Sequence, residues 1–156
     1  MTTQLAPGAT APAFELSDAT GATIALSDFQ GTNVVVYFYP KAATPGCTTE
    51  ACDFRDSLAS LKSAGYSVLG ISPDPADSLQ AFTAEHGLNF PLLSDEGSAV
   101  AAAYGAWGDK VVNGETVQGV LRTTVVIDDG GQVVSAEYSV AAEGHVRRLR
   151  ESLGLS

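Results

Sequence analysis

The sequence predicts an α/β fold in one domain that spans residues 1–156. The chain has 156 residues, 45% of them apolar, which is enough to bury a sizeable core. Residues 33–39 form a continuous β-branched and aromatic run, typical of a strand covered on both faces. Residues 44–65 change to helical spacing before a second apolar run at 66–72. Strand, helix and strand in this order predict a right-handed parallel βαβ unit.

The elements around the first cysteine follow from local signals. Residues 14–16 and 23–26 flank a turn-rich stretch at 18–21 and predict a short N-terminal hairpin. Thr44 is the expected N-cap of the following helix, and Pro45 its first residue, where a missing N–H is harmless. The apolar stripe of this helix, which closes near Gly65, consists of Cys47, Ala51, Phe54, Leu58 and Leu61. Cys47 is therefore expected in the first helical turn.

The second half predicts smaller elements that complete the sandwich. Two antiparallel strands are expected at residues 120–127 and 132–138, and a closing helix at 143–153. Before them come a helix at 77–86 with a Gly87 stop, a strand at 91–93, a helix at 98–104 and a hairpin turn at 111–114. This order is the layout of a thioredoxin-like three-layer sandwich with an N-terminal hairpin extension.

Composition excludes several classes of function. Eight Lys and Arg against eighteen Asp and Glu give a formal charge of −10, which repels nucleic acid and anionic membrane surfaces. Residues 1–7 lack the features of a secretory signal, and the apolar run at 34–39 is far shorter than the ~20 residues that span a bilayer. A soluble cytoplasmic protein is expected. In that compartment two cysteines indicate a catalytic, redox or metal role rather than a structural disulfide.

The position of Cys47 suits a nucleophile. The thiolate is the reactive form, and an ordinary cysteine with a pKa of about 8.5 is mostly protonated at neutral pH. Unpaired N–H groups at a helix N-terminus favour negative charge, and a nearby cation would add to this effect. Lys41, Arg55 and Arg122 are the candidates. Arg122 is the most informative, because it interrupts an apolar strand where a charge is rarely placed without a partner, although an edge-strand Arg facing water is the alternative.

The spacing of Cys47 and Cys52 restricts how they could react with each other. Five residues in an intact helix separate Cα atoms by roughly 8.5 Å. A disulfide tolerates no more than about 7 Å. If the two cysteines bond, the first helical turns must unwind, so the spacing predicts a redox cycle coupled to local unfolding. A buried Cys52 that only packs as a small apolar side chain is the alternative.

Residues 37–56 closely resemble the active-site segment of peroxiredoxins of the bacterioferritin comigratory protein (peroxiredoxin Q) type. The specific pattern is Pro40, three residues, Thr44, two residues and Cys47, followed by a distant strand Arg. Further similarity runs through residues 8–14, 70–72 and 119–124, so the resemblance covers nearly the whole chain.

The resemblance implies a thiol-dependent peroxidase that reduces hydrogen peroxide and organic hydroperoxides. Cys47 corresponds to the peroxidatic cysteine, and Pro40, Thr44 and Arg122 to residues that line the peroxide pocket. Cys52 corresponds to a resolving cysteine found in the same helix in one branch of the family. The sulfenic acid of Cys47 would condense with Cys52 to a disulfide, which a thioredoxin-like protein would reduce. The resemblance implies no metal or bound cofactor, and a monomer is expected.

The remaining polar residues carry less specific expectations. Glu50 is expected in the first helical turn, paired with either Arg122 or Arg55. His86 and His145 are interpreted as solvated residues at helix ends. The basic run on the last helix is interpreted as a solvated face and consists of Arg147, Arg148 and Arg150.

Two other functions fit parts of the pattern. A protein dithiol–disulfide oxidoreductase would share the fold, but such enzymes usually carry Cys-x-x-Cys, whereas four residues intervene here. A metal carrier could use the two thiolates and a histidine, yet neither His86 nor His145 lies at a motif spacing.

Overall fold

A mixed seven-stranded sheet forms the centre of the computed structural model, which describes residues 4–42, 44–112 and 114–154. Its strands are β1 (Glu15–Asp18), β2 (Thr23–Ala25), β3 (Asn33–Phe38), β4 (Tyr66–Ser72), β5 (Leu92–Ser94), β8 (Thr123–Ile127) and β9 (Val133–Glu137), in the spatial order β2-β1-β5-β4-β3-β8-β9. A separate two-stranded ribbon contains β6 (Trp107–Val112) and β7 (Glu115–Val120). The helices are α1 (Pro45–Ser63), α2 (Ala76–His86), α3 (Ala99–Ala103) and α4 (His145–Ser152).

The predicted βαβ unit and hairpin are confirmed. β3 pairs in parallel with β4, and α1 connects them. β1 and β2 form the N-terminal hairpin, which joins the sheet through β5. β8 lies between β3 and β9 and pairs antiparallel with both. Asn113, at the predicted turn between β6 and β7, lies outside the described residues.

Two apolar clusters place helices on both faces of the sheet. Alternate residues of β3 point to opposite faces, as the period of a strand requires. Val35 and Tyr37 pack in one cluster with side chains of α1, α2 and α4. Val34 and Val36 pack in the other cluster with α3 and the N-terminal segment. This arrangement confirms the predicted three-layer sandwich.

The strand predicted at residues 120–127 is wrong in one respect. The chain ends β7 at Val120 and begins β8 at Thr123, so Arg122 lies between two strands rather than inside one. The break occurs because β7 pairs with β6 in the ribbon whereas β8 pairs with β3 in the main sheet. In the break, the Leu121 N–H donates to the Ala106 carbonyl at 2.7 Å, and the Arg122 carbonyl accepts from the Val140 N–H at 2.9 Å.

His145 also differs from its expected place. It is the first residue of α4, after Gly144 in a left-handed conformation, and its side chain is fully buried. A hydrogen bond of 2.7 Å joins its Nε2 and Thr124 Oγ1. Burial lowers the pKa of His145, and the Glu137 carboxylate 3.9 Å away opposes this effect. Leu149, four residues on, faces the same core, so the helical period could have indicated that His145 is buried.

The other predicted helix-end and surface residues are partly correct. Arg147 and Arg148 are exposed, whereas Arg150 is half-buried and its Nη1 donates to Ser57 Oγ of α1 at 3.3 Å. His86 lies in the last turn of α2 and is half-buried, with its ring against Phe82. In the part of the chain that the structure describes, no helix is long and apolar enough to cross a membrane.

Candidate active site

Cys47 lies where the chain passes from the central strand β3 into α1. β3 is buried and ends at Phe38, and Pro40 and Thr44 lie between the end of this strand and the start of the helix. Pro45 is the first residue of α1, as predicted, and Cys47 is the third. The Cys47 side chain is 1% exposed and is not in a disulfide. The sulfur is therefore buried near the helix end at which backbone N–H groups lack intrahelical partners.

Arg122 reaches Cys47 across the break between β7 and β8. Its Nη2 donates to Cys47 Sγ at 3.2 Å, and its Nη1 donates to Glu50 Oε1 at 2.7 Å. The alternative of an edge-strand Arg that faces water is thereby wrong. Burial lowers the pKa of Arg122, but Glu50 and Cys47 outweigh it and keep this pKa above its ordinary value. A guanidinium held charged in this position stabilises negative charge on sulfur.

Glu50 orients the guanidinium from within the helix. It lies three residues after Cys47, past the first turn in which it was expected, and its side chain is fully buried. Of the two cations left open by the sequence, it pairs with Arg122. Burial raises the pKa of Glu50 to about 7 even though Arg122 lowers it. Phe54, on the apolar stripe, comes four positions after Glu50, so the two side chains lie on the same face of the helix. This spacing could have indicated that Glu50 is buried.

The loop before α1 carries the other two predicted site residues. Thr44 occupies the N-cap position, but its hydroxyl does not cap the helix and donates instead to the Lys41 carbonyl at 2.8 Å. Pro40 is half-buried at the start of the loop. Ala42 is buried, and its N–H donates to Asp74 Oδ2 at 2.7 Å. Ala43 lies outside the described residues.

Cys52 is in the same unbroken helix. Its side chain is half-buried and its thiol is free. With α1 intact from Pro45 to Ser63, helical geometry places the Cα atoms of the two cysteines roughly 8.5 Å apart. They cannot bond in this conformation.

Comparison with known proteins assigns this arrangement to a family. A family model described as AhpC/TSA matches residues 7–136. This chain belongs to the AhpC/TSA family. It is 53% identical over 154 residues to a Mycobacterium tuberculosis (strain H37Rv) protein assigned as a peroxiredoxin, which covers 99% of this chain and 98% of that protein. It is 48% identical over 129 residues to the peroxiredoxin Bcp of Escherichia coli K12, which covers 83% of each.

Solved structures agree with this family membership. The bacterioferritin comigratory protein of Xanthomonas campestris, solved in work on its alkyl peroxide reduction, superposes with a TM-score of 0.86. It is 36% identical, and the match covers 99% of this chain and 98% of that one. The resemblance to bacterioferritin comigratory proteins and the thioredoxin-like fold expected from the sequence are therefore confirmed.

AhpC/TSA membership favours peroxide chemistry over the two alternatives. The relatives at 53% and 48% identity carry peroxiredoxin names rather than the name of a protein dithiol–disulfide oxidoreductase. Across residues 4–42, 44–112 and 114–154, no group of three or more His, Cys, Asp or Glu side chains could hold a metal ion.

Proposed function

We propose that this chain is a thiol peroxidase in which Cys47 reduces peroxides and Cys52 resolves the oxidised product. The observation that carries the proposal is the forked contact of Arg122, with one nitrogen on Cys47 Sγ and the other on Glu50. A half-buried arginine aimed at a sulfur by a buried carboxylate has no simple packing explanation. It does suit a sulfur that becomes anionic.

The first step is an in-line displacement at oxygen. The Cys47 thiolate attacks one peroxide oxygen, the O–O bond breaks, and the departing alkoxide takes up a proton to leave as an alcohol or as water. Cys47 is oxidised to the sulfenic acid and the peroxide is reduced. Negative charge moves from sulfur to the leaving oxygen, so a donor that addresses both atoms stabilises the transition state. Arg122 Nη2 is such a donor.

Thr44 and Pro40 act on the substrate side of the sulfur in this proposal. The Thr44 hydroxyl proton is committed to the Lys41 carbonyl, which leaves the lone pairs of Oγ1 available. Thr44 would therefore accept a hydrogen bond from the peroxide O–H rather than donate one. Pro40 has no N–H to offer and would shield the thiolate from water.

The second step joins the two cysteines. Cys52 attacks the sulfenic sulfur, a disulfide forms, and water leaves with the sulfenic oxygen. The separation of roughly 8.5 Å in an intact helix requires the residues before Phe54 to unwind first. Phe54 is fully buried and stacks on Tyr37 with ring centroids 4.5 Å apart. It would end the unwinding just beyond Cys52.

The cycle closes through an external reductant. The chain contains two cysteines, so after the disulfide forms no thiol of its own remains to reduce it. We propose a thioredoxin-like dithiol protein for this step and a cytoplasmic location, because the cycle must return to two thiols in a reducing compartment.

The substrate range and assembly complete the proposal. Organic hydroperoxides join hydrogen peroxide as substrates, by analogy with the Xanthomonas campestris relative and its alkyl peroxide reduction. The chain acts as a monomer and as one domain over residues 1–156. In support, the large apolar side chains exposed among the described residues are three valines, Val111, Val117 and Val134.

Stopped-flow mixing of the reduced protein with hydrogen peroxide tests the proposal. Wild type is expected to consume peroxide and form an intramolecular disulfide. Cys47→Ser is expected to be inert, whereas Cys52→Ser reacts once and stalls as a sulfenic acid until an external thiol is added. Peroxide turnover in Cys47→Ser equal to wild type would discard the proposal.

A further inference from the structure

Ala42, in the loop that carries Pro40 and Thr44, forms a hydrogen bond to a distant part of the chain. Within the loop, the Thr44 hydroxyl donates to the Lys41 carbonyl. Outward, the Ala42 N–H donates to Asp74 Oδ2 at 2.7 Å, across 32 residues of sequence. Ala42 lies midway between Pro40 and Thr44, so this bond fixes the centre of the loop.

Asp74 is itself held rigidly at the corner between β4 and α2. Ser72, the last residue of β4, donates its hydroxyl to the same Oδ2 at 2.7 Å. The Asp74 carbonyl accepts a hydrogen bond of 2.7 Å from Ser94 Oγ of β5. β4 and β5 pair in parallel at these residues. The carboxylate therefore connects the loop to the centre of the sheet.

Capping of α2 does not explain the carboxylate. Asp74 precedes Pro75, the N-cap residue, and no side-chain capping bond is made there. In the first turn of α2 the acidic residue is Asp77, which accepts from the Ser78 N–H at 2.9 Å. Asp74 Oδ2 accepts from the Ala42 N–H and from the Ser72 hydroxyl instead.

We propose that Asp74 is a positioning residue for the peroxide step. By holding Ala42, it keeps Pro40 and Thr44 in place beside Cys47 and stabilises the folded entry to α1. Without this carboxylate, Pro40 and Thr44 hold their positions for less of the time, and the first turns of α1 unwind more readily. The inference rests on the proposed function of Cys47 and Cys52.

Opposite effects on the two chemical steps are the signature of this role. Removal of the carboxylate leaves the Ala42 N–H without its charged acceptor, so we expect Asp74→Ala to slow the peroxide step roughly tenfold. The disulfide step needs the unwound helix, and we expect it to become severalfold faster in the same variant. A residue that served general stability alone would not speed one step while slowing the other.

The experiment measures both steps in single-turnover reactions with hydrogen peroxide, by stopped flow and by rapid quenching with thiol counting. Asp77→Ala is the matched control, because it removes a nearby carboxylate that accepts from the Ser78 N–H of its own helix. Asp74→Ala slower than Asp77→Ala in the peroxide step and faster in the disulfide step supports the proposal. Equal rates in the two variants, or a slowing of both steps, overturn it.

A second variant covers the case in which Asp74→Ala does not fold. Asp74→Asn retains an oxygen for the Ala42 N–H but loses the charge, and it is compared with Asp77→Asn. A slower peroxide step together with a faster disulfide step in Asp74→Asn supports the proposal, and rates equal to those of Asp77→Asn in both steps overturn it. Failure of wild type itself to react through Cys47 would instead overturn the proposed function.

Discussion

The two halves of α1 differ in what they bury. Residues 45–53 bury small or polar side chains, namely Cys47, Glu50 and Ala51. Residues 54–63 bury three large apolar side chains and one small polar one, namely Phe54, Leu58, Leu61 and Ser57. Phe54 stacks on Tyr37 of β3, whereas in the first half a guanidinium from the break between β7 and β8 donates to Cys47 and Glu50.

This difference shows how one helix can be both rigid and ready to open. Each large apolar side chain that leaves the core costs about 1.5–3 kcal/mol, which restrains the second half strongly. The first half also contains Pro45, Gly46 and two β-branched threonines, which are weak helix formers. Unwinding up to Phe54 therefore frees both cysteines while the fold stays intact.

The largest effect that tests the contrast is expected for Phe54→Ala. Loss of a buried ring that stacks on Tyr37 and contacts Phe90 should lower the free energy of unfolding by about 3–5 kcal/mol. Cys52→Ala, two residues earlier and half-buried, should change it by no more than about 1 kcal/mol. Denaturant titration of both variants measures the difference. Similar losses in the two variants would mean that α1 does not have a strong and a weak half.

Arg122→Met should give the next largest effect, and within α1 it should change only the first half, residues 45–53. We expect the barrier of the peroxide step to rise by about 2–4 kcal/mol, by analogy with the loss of an oxyanion donor. Amide exchange at residues 47–51 should speed up, whereas exchange at 54–61 should not. Arg147→Met removes an exposed arginine that pairs with Glu151 and is the control. A peroxide rate in Arg122→Met equal to that control would remove Arg122 from the site.

The sequence predicted the second half of α1 more completely than the first. Apolar spacing identified Phe54, Leu58 and Leu61 because burial of large side chains follows the helical period. The same period gave the position of Cys47, and the missing N–H of proline gave the N-terminal place of Pro45. Local chemistry was therefore sufficient wherever one element decides the outcome.

Contacts between distant segments were not predictable in this way. The bond from Asp74 to Ala42 depends on how the ends of β3 and β4 meet, which no local spacing encodes. The break at Arg122 arises because the chain changes from the ribbon to the main sheet. The apolar pattern of residues 120–127 contains no signal for this change and predicts one strand. Burial of His145 was missed because its place near a helix end was weighed above its spacing of four residues from Leu149, and its bond to Thr124 of β8 joins distant segments.

The pH dependence of helix opening offers a finer test through Glu50. Its pKa is raised to about 7 when buried, against an ordinary value of 4.5, because burial outweighs the attraction of Arg122. Between pH 4.5 and about pH 7, the first half of α1 binds more protons when it is folded than when it is unwound. The equilibrium constant for unwinding therefore rises with pH over this interval, by at most about tenfold per pH unit. Amide exchange at residues 47–51, corrected for intrinsic rates, should show this trend.

Two comparisons decide whether Glu50 causes the trend. Glu50→Gln has no titrating group at this position, so its exchange at residues 47–51 should be independent of pH over the same interval. Exchange at residues 54–61 of wild type should also be independent of pH. A pH trend that persists in Glu50→Gln contradicts the assignment.

Gly46→Ala is expected to have the smallest effect and the most informative direction. A Cβ at position 46 would lie 3.1 Å from Arg122 Nη2 and 3.7 Å from Ala142 Cβ, so the guanidinium must shift by a few tenths of an ångström. Its contact with Cys47 Sγ would lengthen, and we expect the peroxide step to slow about threefold to tenfold. Alanine is also a better helix former than glycine by about 1 kcal/mol, so the disulfide step should slow as well.

Thr49→Ala is the matched control. It improves helix propensity at an exposed position in the first half of α1 and should slow only the disulfide step. Because the two variants share the propensity change, a peroxide step equally fast in both would show that close approach of Arg122 does not depend on the missing side chain at Gly46.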